Sequence, residues 1–381
     1  MRIPNQILLF TSLFILVLSP SCKKDPIVLN NKSIHFDVLA QNLEDAFGPG
    51  CVGFQYSISQ NGTLKTENAI GKAILAIDGP ETNYTVNHRK SVHSMTKTIT
   101  AAAMVHALEA NGISVDAFIA PYLPERWELS PEVDDITFRE LLTHKSGLRG
   151  TRDSYESMKT YMEAGGFSTK DVSTSVGYAN VNFTLMRILI PMTSPIVNPA
   201  LNDVLNTQGG ESFDNMVSQG YIAYVRNTVL IPAGVDEEVG PYLWDTDEAE
   251  ATRNYNFSNQ SLNGYIHTDQ TLLTGAGGWY MNTHDYSAFL AYLFHSQLPG
   301  IDQDEMISGE LGMYVGKYGS LDYYTHNGAI NNALDQGGRA EWIQIPSSDV
   351  TMVVQINSAE NAFSTSEITG MMLDAYLDSY Y

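Results

Sequence analysis

The sequence is poor in basic residues and nearly free of cysteine, and both shortages narrow the possible functions. Its 381 residues include 21 Lys and Arg against 43 Asp and Glu, which gives a formal net charge of −22. Because phosphate binding needs clustered Lys and Arg, which this sequence lacks, no nucleic-acid partner is expected. After Cys22 the sequence contains only Cys51, so it cannot build an internal disulfide framework. Cys51 begins an apolar run, which predicts a buried structural thiol.

The motifs of several large enzyme classes are also missing. The sequence contains neither a His-Glu-x-x-His segment nor the Cys and His spacing of zinc sites, so no metal site is expected. It also lacks the Gly-x-x-x-x-Gly-Lys-Ser/Thr phosphate loop and the Gly-x-Ser-x-Gly turn of the α/β-hydrolases. We therefore expect a protein without metal or cofactor, and an α/β-hydrolase fold is disfavoured.

The N-terminal segment has the composition of an export signal. Arg2 precedes Ile7–Leu18, an uncharged run that is too short to cross a bilayer comfortably. The position of Cys22 after this run resembles a bacterial lipoprotein cleavage site, although the three residues before it depart from the usual pattern. We predict a signal peptide at 1–21, a lipidated Cys22 that anchors the protein to a membrane, and a tether at 22–32. The alternative is a plain secreted protein cut nearby, and both alternatives predict export.

The periodicity of apolar residues separates a sheet-forming part of the chain from a helical part. Helices are predicted at both ends and after Ser94, and the region from about 115 to 265 contains few strand-like runs. The predicted strands are Cys51–Ser59, Thr63–Ala73, Leu321–Ala329, Arg339–Ile345 and Val350–Ile356. The terminal helices are predicted at Ser33–Phe47 and Ser364–Tyr380. The pattern indicates one α+β domain over 33–381, with an antiparallel sheet, flanking terminal helices and an inserted, mainly helical subdomain.

Ser94 and Lys97 lie three residues apart at the predicted start of a helix, so they share one helix face. A lysine amine beside a serine hydroxyl takes the hydroxyl proton if its pKa is lowered, and a helix N-terminus favours the developing negative charge. The Ser-x-x-Lys pattern also arises by chance. Its ordinary alternative is a capping serine followed by a solvated lysine.

Two further short motifs follow in a recognisable order. Ser94-Met95-Thr96-Lys97 is followed by Tyr178-Ala179-Asn180 and then by His326-Asn327-Gly328. With the segments at 136–148 and 277–285, most of the chain resembles the β-lactamase-related serine hydrolases. That family includes class C β-lactamases, D-alanyl-D-alanine carboxypeptidases and β-lactamase-like esterases. The resemblance implies a β-lactamase/transpeptidase-like fold and an acyl-enzyme mechanism, and the Tyr-x-Asn motif is typical of the class C-like branch.

The resemblance also implies a role for each residue of the first two motifs. Ser94 would be the nucleophile, Lys97 would share its proton, and Tyr178 would be the partner base. A phenol has a reference pKa of about 10, so Tyr178 needs cationic neighbours or acts as a relay. Asn180 would hydrogen-bond the substrate amide or Lys97. The alternatives are an ordinary aromatic core residue for Tyr178 and a helix N-cap for Asn180.

The third motif and its surroundings are expected to bind the substrate. The backbone N–H groups of Ser94 and Ala329 would form the oxyanion hole, and Gly328 would let the substrate approach the strand closely. A β-bulge is the alternative for Gly328. Asn357 follows the last strand and points into the cleft or serves as a turn residue. For His144 we predict a structural role at the end of a helix.

The third motif departs from the family pattern, because His326 stands where the resembled lactamases and carboxypeptidases usually carry lysine. A mostly neutral imidazole is a poorer anchor for a substrate carboxylate than an ammonium group. The expected activity is therefore hydrolysis of a small or peptide acyl substrate, an ester or an amide such as a D-amino-acid peptide. A non-catalytic protein that binds penicillin or cell-wall peptides is the first alternative, and a true β-lactamase is the second. The sequence leaves the oligomeric state open.

Overall fold

The structure is a computed structural model, and it describes most of the chain beyond the N-terminal segment. The described residues are 33–168, 170, 177–193, 207, 209–241, 251–267, 269–295, 301–359 and 364–381. The predicted signal peptide, Cys22 and the tether therefore lie outside the described residues.

Helices and strands alternate irregularly along the described chain. The helices are α1 Phe36–Phe47, α2 Thr96–Ala110, α3 Phe138–Leu142, α4 Tyr155–Ala164, α5 Val181–Thr184, α6 Met186–Thr193, α7 Gly210–Val225, α8 Thr283–His295, α9 Gln303–Ser308 and α10 Thr365–Asp378. The strands are β1 Gly53–Gln60, β2 Thr63–Ile74, β3 Thr82–Asn83, β4 Lys90–Ser91, β5 Gly240–Pro241, β6 Tyr255–Asn256, β7 Trp279–Met281, β8 Tyr314–Tyr318, β9 Leu321–Asn331, β10 Gly337–Ile345, β11 Val350–Ile356 and β12 Ser358–Ala359.

The main sheet draws its strands from both ends of the chain. Its neighbours run in the order β3-β2-β1-β11-β10-β9-β8, and every pair in this series is antiparallel. The pair β6–β12 is parallel, and β6 also pairs with β10. The first and last parts of the sequence therefore meet at β1 and β11. This antiparallel sheet with flanking helices confirms the predicted fold class.

The terminal helices α1 and α10 cover one face of this sheet. Leu39 and Leu43 of α1 and Met372 of α10 are fully buried in one cluster with apolar residues of β1, β10 and β11. Both helices carry apolar residues at helical spacing on the side that faces the sheet, which gives each helix a buried stripe. On the other side of the sheet, a larger cluster contains α2, α8 and most of the inserted helices. Among the described residues, no helix is both long and apolar enough to cross a membrane.

The hairpin of β1 and β2 turns at Asn61 and Gly62, where the sequence predicts a two-residue turn. Both residues have positive φ, 50° and 67°, which is the conformation that a type I′ turn requires and that Asn and Gly tolerate. The register pairs Gln60 with Thr63 across this turn. The predicted hairpin is therefore confirmed.

The region between 115 and 265 is mainly helical, but it also contributes to the sheet. It contains α3 to α7 and the short strands β5 and β6. β6 pairs with β10 through Tyr255 and Gly337. Such a two-residue strand has too few positions to produce a period in the sequence, so it was not predicted.

A second, three-stranded sheet supports the chain that precedes Ser94. Its strand order is β4-β7-β5, with Lys90 opposite Met281 and Ser91 opposite Tyr280. Because β7 comes from the Gly-rich segment before α8, this pairing brings residues 276–281 beside the start of α2.

Candidate active site

The chain between β4 and α2 carries Ser94. A 3₁₀ turn spans His93–Met95, and α2 begins at Thr96. No side chain caps the turn or the helix, so the alternative of Ser94 as an N-cap is wrong. Most of α2 is buried in the larger core, which gives this turn a rigid base. His93 has a φ of 49°, in the left-handed region that L-residues rarely adopt.

Ser94 meets both predicted partners. The Tyr178 hydroxyl donates to Ser94 Oγ at 2.7 Å, and Lys97 Nζ lies 3.1 Å from the same oxygen. Tyr178 stands in the short segment before α5, and its ring is partly exposed while its hydroxyl reaches the serine. A role as an ordinary core aromatic residue does not fit this placement. The two motifs, which are far apart in the sequence, therefore meet at one oxygen atom.

Lys97 is fully buried, so the alternative of a solvated lysine is wrong. Its Nζ donates to the Asn180 Oδ1 at 3.0 Å and to the Ala276 carbonyl at 2.7 Å, in addition to its contact with Ser94. Its Nζ also lies 4.9 Å from the centre of the Tyr178 ring. Burial holds the pKa of Lys97 well below the usual range of a lysine.

The hydrogen-bond partners of Lys97 suit a neutral amine. Two of them, the Asn180 Oδ1 and the Ala276 carbonyl, are acceptors only and take two N–H groups. A neutral amine then has its lone pair left for the Ser94 hydroxyl proton. The arrangement can therefore draw the proton from Ser94 without moving any heavy atom.

The environment of Tyr178 favours the protonated phenol. Burial raises the pKa of Tyr178 to about 12, although its hydrogen bond to Ser94 acts in the opposite direction. Lys97 is a poor source of the positive charge that would lower this pKa, because its own burial lowers the pKa of its amine and favours the neutral form. Tyr178 is therefore a hydrogen-bond donor to Ser94 at neutral pH. A role in relaying a proton fits this phenol better than a role as a deprotonated base.

Asn180 links Lys97 to the loop before α4. Its Oδ1 accepts from Lys97, and its Nδ2 donates to the Thr151 hydroxyl at 3.2 Å. Asn180 occupies the N-cap position of α5, but its side chain caps no N–H group there and bonds to Lys97 instead. The predicted partners of Asn180 were the substrate amide and Lys97, and the structure shows the contact with Lys97.

Strand β9 passes directly beside the turn that carries Ser94. A Cβ atom at Gly328 would lie 2.5 Å from the Val92 carbonyl oxygen and 2.9 Å from the Ser94 amide nitrogen. Glycine is needed here because the backbone of the turn occupies the space, so the predicted approach of a substrate is not the only reason for it. Ala329 follows with an exposed side chain, opposite Arg339 of β10. The two oxyanion N–H groups remain a prediction.

His326 is buried on β9 and carries no positive charge. Its Nδ1 donates to the Asn327 carbonyl at 2.7 Å, which leaves Nε2 as an acceptor. Burial, and then the nearby Lys97, lower the pKa of His326 to about 3. Its ring centre lies 5.2 Å from that of Tyr314 on β8. A neutral imidazole of this kind cannot attract a substrate carboxylate as a cation.

Asn357 lies apart from this group of contacts. Its side chain is fully buried, and its Nδ2 donates to the Lys72 carbonyl at 2.8 Å, which ties the end of β11 to β2. The cleft position proposed for Asn357 is thus corrected in favour of a structural one. The sequence pattern could not separate the two, because a polar residue after a strand is common to both.

Several residues around the site were not predicted. The Ala276 carbonyl is a backbone atom and leaves no signal in the sequence. Lys90 is fully buried with its Nζ 3.1 Å from the His93 Nε2, and burial together with Arg339 lowers the pKa of Lys90 to about 7. His267 is buried beside His93, with ring centres 5.4 Å apart. In the sequence, His267 appears only as a lone histidine in a loop, so no motif identified it.

No three His, Cys, Asp or Glu side chains are grouped so as to hold a metal ion in the part of the chain that the structure describes. The side chains at Ser94 are instead a hydroxyl, an amine, a phenol and an amide, which suit proton transfer rather than metal binding.

Comparison with known proteins agrees with this arrangement. A sequence model of the family described as Beta-lactamase matches residues 39–194, which include Ser94, Lys97 and Tyr178. The fold is similar to an octameric penicillin-binding protein homologue from Pyrococcus abyssi, at 15% identity and a TM-score of 0.66 over 90% of this chain and 77% of that one.

Two amidohydrolase structures also have a fold similar to that of this chain. D-amino acid amidase from Ochrobactrum anthropi SV3 has 17% identity and a TM-score of 0.66, over 90% of this chain and 97% of that one. A D-stereospecific amidohydrolase from Streptomyces sp. has 18% identity and a TM-score of 0.62, over 90% and 98%. At these identities the structures show a common fold. The comparisons therefore show a β-lactamase/transpeptidase-like fold, and the family model covers the part of the chain that contains the first two motifs.

Proposed function

We propose that this protein is a serine hydrolase that cleaves an ester or an amide through an acyl-enzyme on Ser94. The observation that carries the proposal is the convergence on Ser94 Oγ of the Tyr178 hydroxyl at 2.7 Å and the buried Lys97 Nζ at 3.1 Å. An isolated serine hydroxyl is a weak nucleophile, and it becomes reactive when a positioned base takes its proton.

In the proposed acylation, neutral Lys97 takes the proton of Ser94 as its oxygen attacks the substrate carbonyl. The Asn180 and Ala276 acceptors hold the amine in place while its lone pair receives this proton. The oxyanion that forms would be stabilised by the N–H groups of Ser94 and Ala329. These two N–H groups belong to segments that Gly328 allows to lie side by side.

Tyr178 is the candidate for delivering a proton to the leaving group. Its phenol is protonated at neutral pH and lies beside the bond that breaks, because it contacts the attacking oxygen. Lys97 then returns the Ser94 proton to the phenolate, and the leaving amine or alcohol departs neutral. In deacylation, a water molecule takes the place of the leaving group, and the same residues run the transfer in reverse.

For the substrate, we propose a D-amino-acid amide or ester. The D-amino acid amidase and the D-stereospecific amidohydrolase share the fold over nearly their whole length, and their names point to such acyl groups. The neutral His326 lacks the charge that would hold a carboxylate, which disfavours β-lactams and peptides with a free C-terminus. An amino-acid amide or ester has no free carboxylate, so its binding needs no positive charge at His326.

The test compares turnover of four substrates by the wild-type protein and by Ser94→Ala. They are a p-nitrophenyl ester, D-phenylalanine amide, a D-alanyl-D-alanine peptide and a chromogenic cephalosporin. We expect turnover of the ester and the amide, and loss of at least about 10³-fold in Ser94→Ala. Ser261→Ala changes an exposed serine outside this group of contacts and should behave like wild type. Binding without turnover of any substrate would refute the enzyme in favour of a penicillin- or peptide-binding protein.

Covalent labelling tests the nucleophile separately. A fluorophosphonate probe should modify the wild-type protein at Ser94 and leave Ser94→Ala unmodified. A label on another residue, or equal labelling of both proteins, would contradict the assignment of Ser94.

We also propose that the protein is exported and anchored to a membrane through a lipid on Cys22. The proposal is supported by the charged N-terminus, the uncharged run and the position of Cys22 after it. Fatty-acid labelling of the expressed protein should be lost in Cys22→Ser, with release of the protein from the membrane fraction. Membrane attachment that survives Cys22→Ser would refute the anchor.

A further inference from the structure

His144 lies at the end of α3, in the Thr-His-Lys-Ser-Gly segment. Its φ of 58° is in the left-handed region, and its side chain is buried with only 7% of the residue exposed. The turn after α3 aims this ring toward the segment that carries Tyr178 and Asn180. The predicted structural role at a helix end therefore omits the contacts that the ring makes.

His144 contacts that segment at several successive positions. The Ala179 N–H donates to its Nδ1 at 3.3 Å, and the Asn182 Nδ2 donates to the same atom at 3.0 Å. The ring centres of His144 and Tyr178 lie 4.4 Å apart. At Gly177 a Cβ atom would come within 2.2 Å of the His144 carbonyl oxygen, so the two backbones are in close contact.

The hydrogen bonds determine which nitrogen of His144 carries the proton. Ser146 Oγ accepts from the Leu148 N–H and donates to the Asn182 Oδ1, so the Asn182 Nδ2 is turned toward His144. Both neighbours of Nδ1 are therefore donors, and Nδ1 must be an unprotonated acceptor with the proton on Nε2. Burial and then the proximity of Lys97 keep the pKa of His144 well below its usual range, which agrees with a neutral ring.

We propose that His144 is a positioning residue for Tyr178: its Nδ1 accepts hydrogen bonds from the Ala179 N–H and the Asn182 amide, and these bonds hold the segment that carries the phenol against Ser94. His144 touches neither Ser94 nor the site of bond cleavage through any described contact, so it acts through Tyr178. The inference rests on the proposed hydrolase function. It adds a specific requirement to that function, a hydrogen-bond acceptor at position 144 beneath the phenol.

The first test is a double-mutant cycle between His144 and Tyr178. His144→Phe keeps an aromatic ring and removes the acceptor, so we expect kcat to fall about 10- to 100-fold with KM within about twofold of wild type. The same change made in Tyr178→Phe should cost less than about twofold, because the group that His144 positions is already gone. An equal loss of kcat in both backgrounds, or a wild-type kcat in His144→Phe, would overturn the proposal.

Two further variants separate the acceptor from general damage to the fold. His144→Asn places Oδ1 where Nδ1 stands, and asparagine tolerates a positive φ, so kcat should return to within about threefold of wild type. His284→Phe changes an exposed histidine on α8 and should leave kcat at the wild-type level. A His144→Asn variant that is folded but as slow as His144→Phe would contradict the need for an acceptor.

A measurement on the unmutated protein keeps the inference testable if His144→Phe does not fold. Nitrogen-15 NMR should identify His144 as the neutral form protonated at Nε2 from pH 5.5 to 8. A proton on Nδ1 in that range would overturn the hydrogen-bond assignment. Absence of turnover and of Ser94 labelling in wild type would instead refute the hydrolase function, so the two failures are distinguishable.

Discussion

Lys90 provides a direct test of the electrostatics behind the nucleophile. It is fully buried beside His93, and burial together with the positive charge of Arg339 lowers its pKa from the usual 10.5 to about 7. We expect Lys90→Met to stabilise the protein near and below neutral pH, because methionine fills a similar space without an amine that must be desolvated or protonated.

The size of the effect follows from the difference in proton binding between the folded and unfolded states. A lowering of about 3.5 pH units, from 10.5 to about 7, corresponds to about 5 kcal/mol against the folded state. Between pH 7 and 10.5 the unfolded chain binds more protons at this site, so wild-type stability rises with pH in that window. Below pH 7 the full penalty of about 5 kcal/mol acts against the folded state.

The substitution also leaves the His93 Nε2 without its partner, at a cost of about 1–3 kcal/mol. The net gain for Lys90→Met is therefore about 2–4 kcal/mol at pH 6. At pH 9.5 only about 1 kcal/mol of the penalty remains, so the gain should fall to about zero.

Urea unfolding at pH 6 and at pH 9.5 measures this difference, with the same buffer ions at both values. Lys65→Met is the matched control, because Lys65 is exposed on β2 and its replacement should give no gain that depends on pH. A Lys90→Met protein that is less stable than wild type at pH 6 would refute the argument. An equal gain at both pH values would refute it as well.

Three further substitutions and one pH profile test the residues around Ser94. Tyr178→Phe removes the phenol that donates to Ser94, so kcat should fall about 10²- to 10⁴-fold in ester hydrolysis; a loss below about threefold would exclude proton delivery by Tyr178. Lys97 has a lowered pKa, so kcat/KM should rise with pH through that pKa and stay level at higher pH, and a rise only near the pKa of a free lysine would contradict a neutral amine. Gly328→Ala forces a Cβ against the Val92 carbonyl oxygen, so the rate of Ser94 labelling should drop at least about tenfold, which an unchanged rate would disprove. His326→Lys should lower KM for substrates that carry a carboxylate relative to their methyl esters, and unchanged or weaker binding would count against the anchor argument.

The predicted elements that depend on local pattern agree with the structure. The α1 helix, the hairpin around Asn61-Gly62 and strand β11 were recognisable because their signals lie within a dozen residues. The weaker elements, such as β6 and β8, were not predicted. β6 has only two residues, and β8 contains a glycine and alternates exposed with half-buried positions, so its pattern is weak.

The candidate site shows the same division. Ser94, Lys97 and Tyr178 were identified from short motifs in a recognisable order, and the structure brings their functional atoms together. The cleft position considered for Asn357 is wrong, because its side chain donates to a backbone carbonyl on a strand 285 residues earlier in the sequence. No periodicity or motif records such a contact.

The order of the motifs, the main helices and strands, and the chemical groups available at the site can all be read from the amino-acid sequence. The protonation of those groups depends on how the chain packs in three dimensions. The pKa of Lys97 is lowered because its amine is buried between Asn180 and the Ala276 carbonyl, and His326 is neutral because β9 buries it. Desolvation and charge proximity depend on which distant segments pack together, and no short stretch of sequence contains that information.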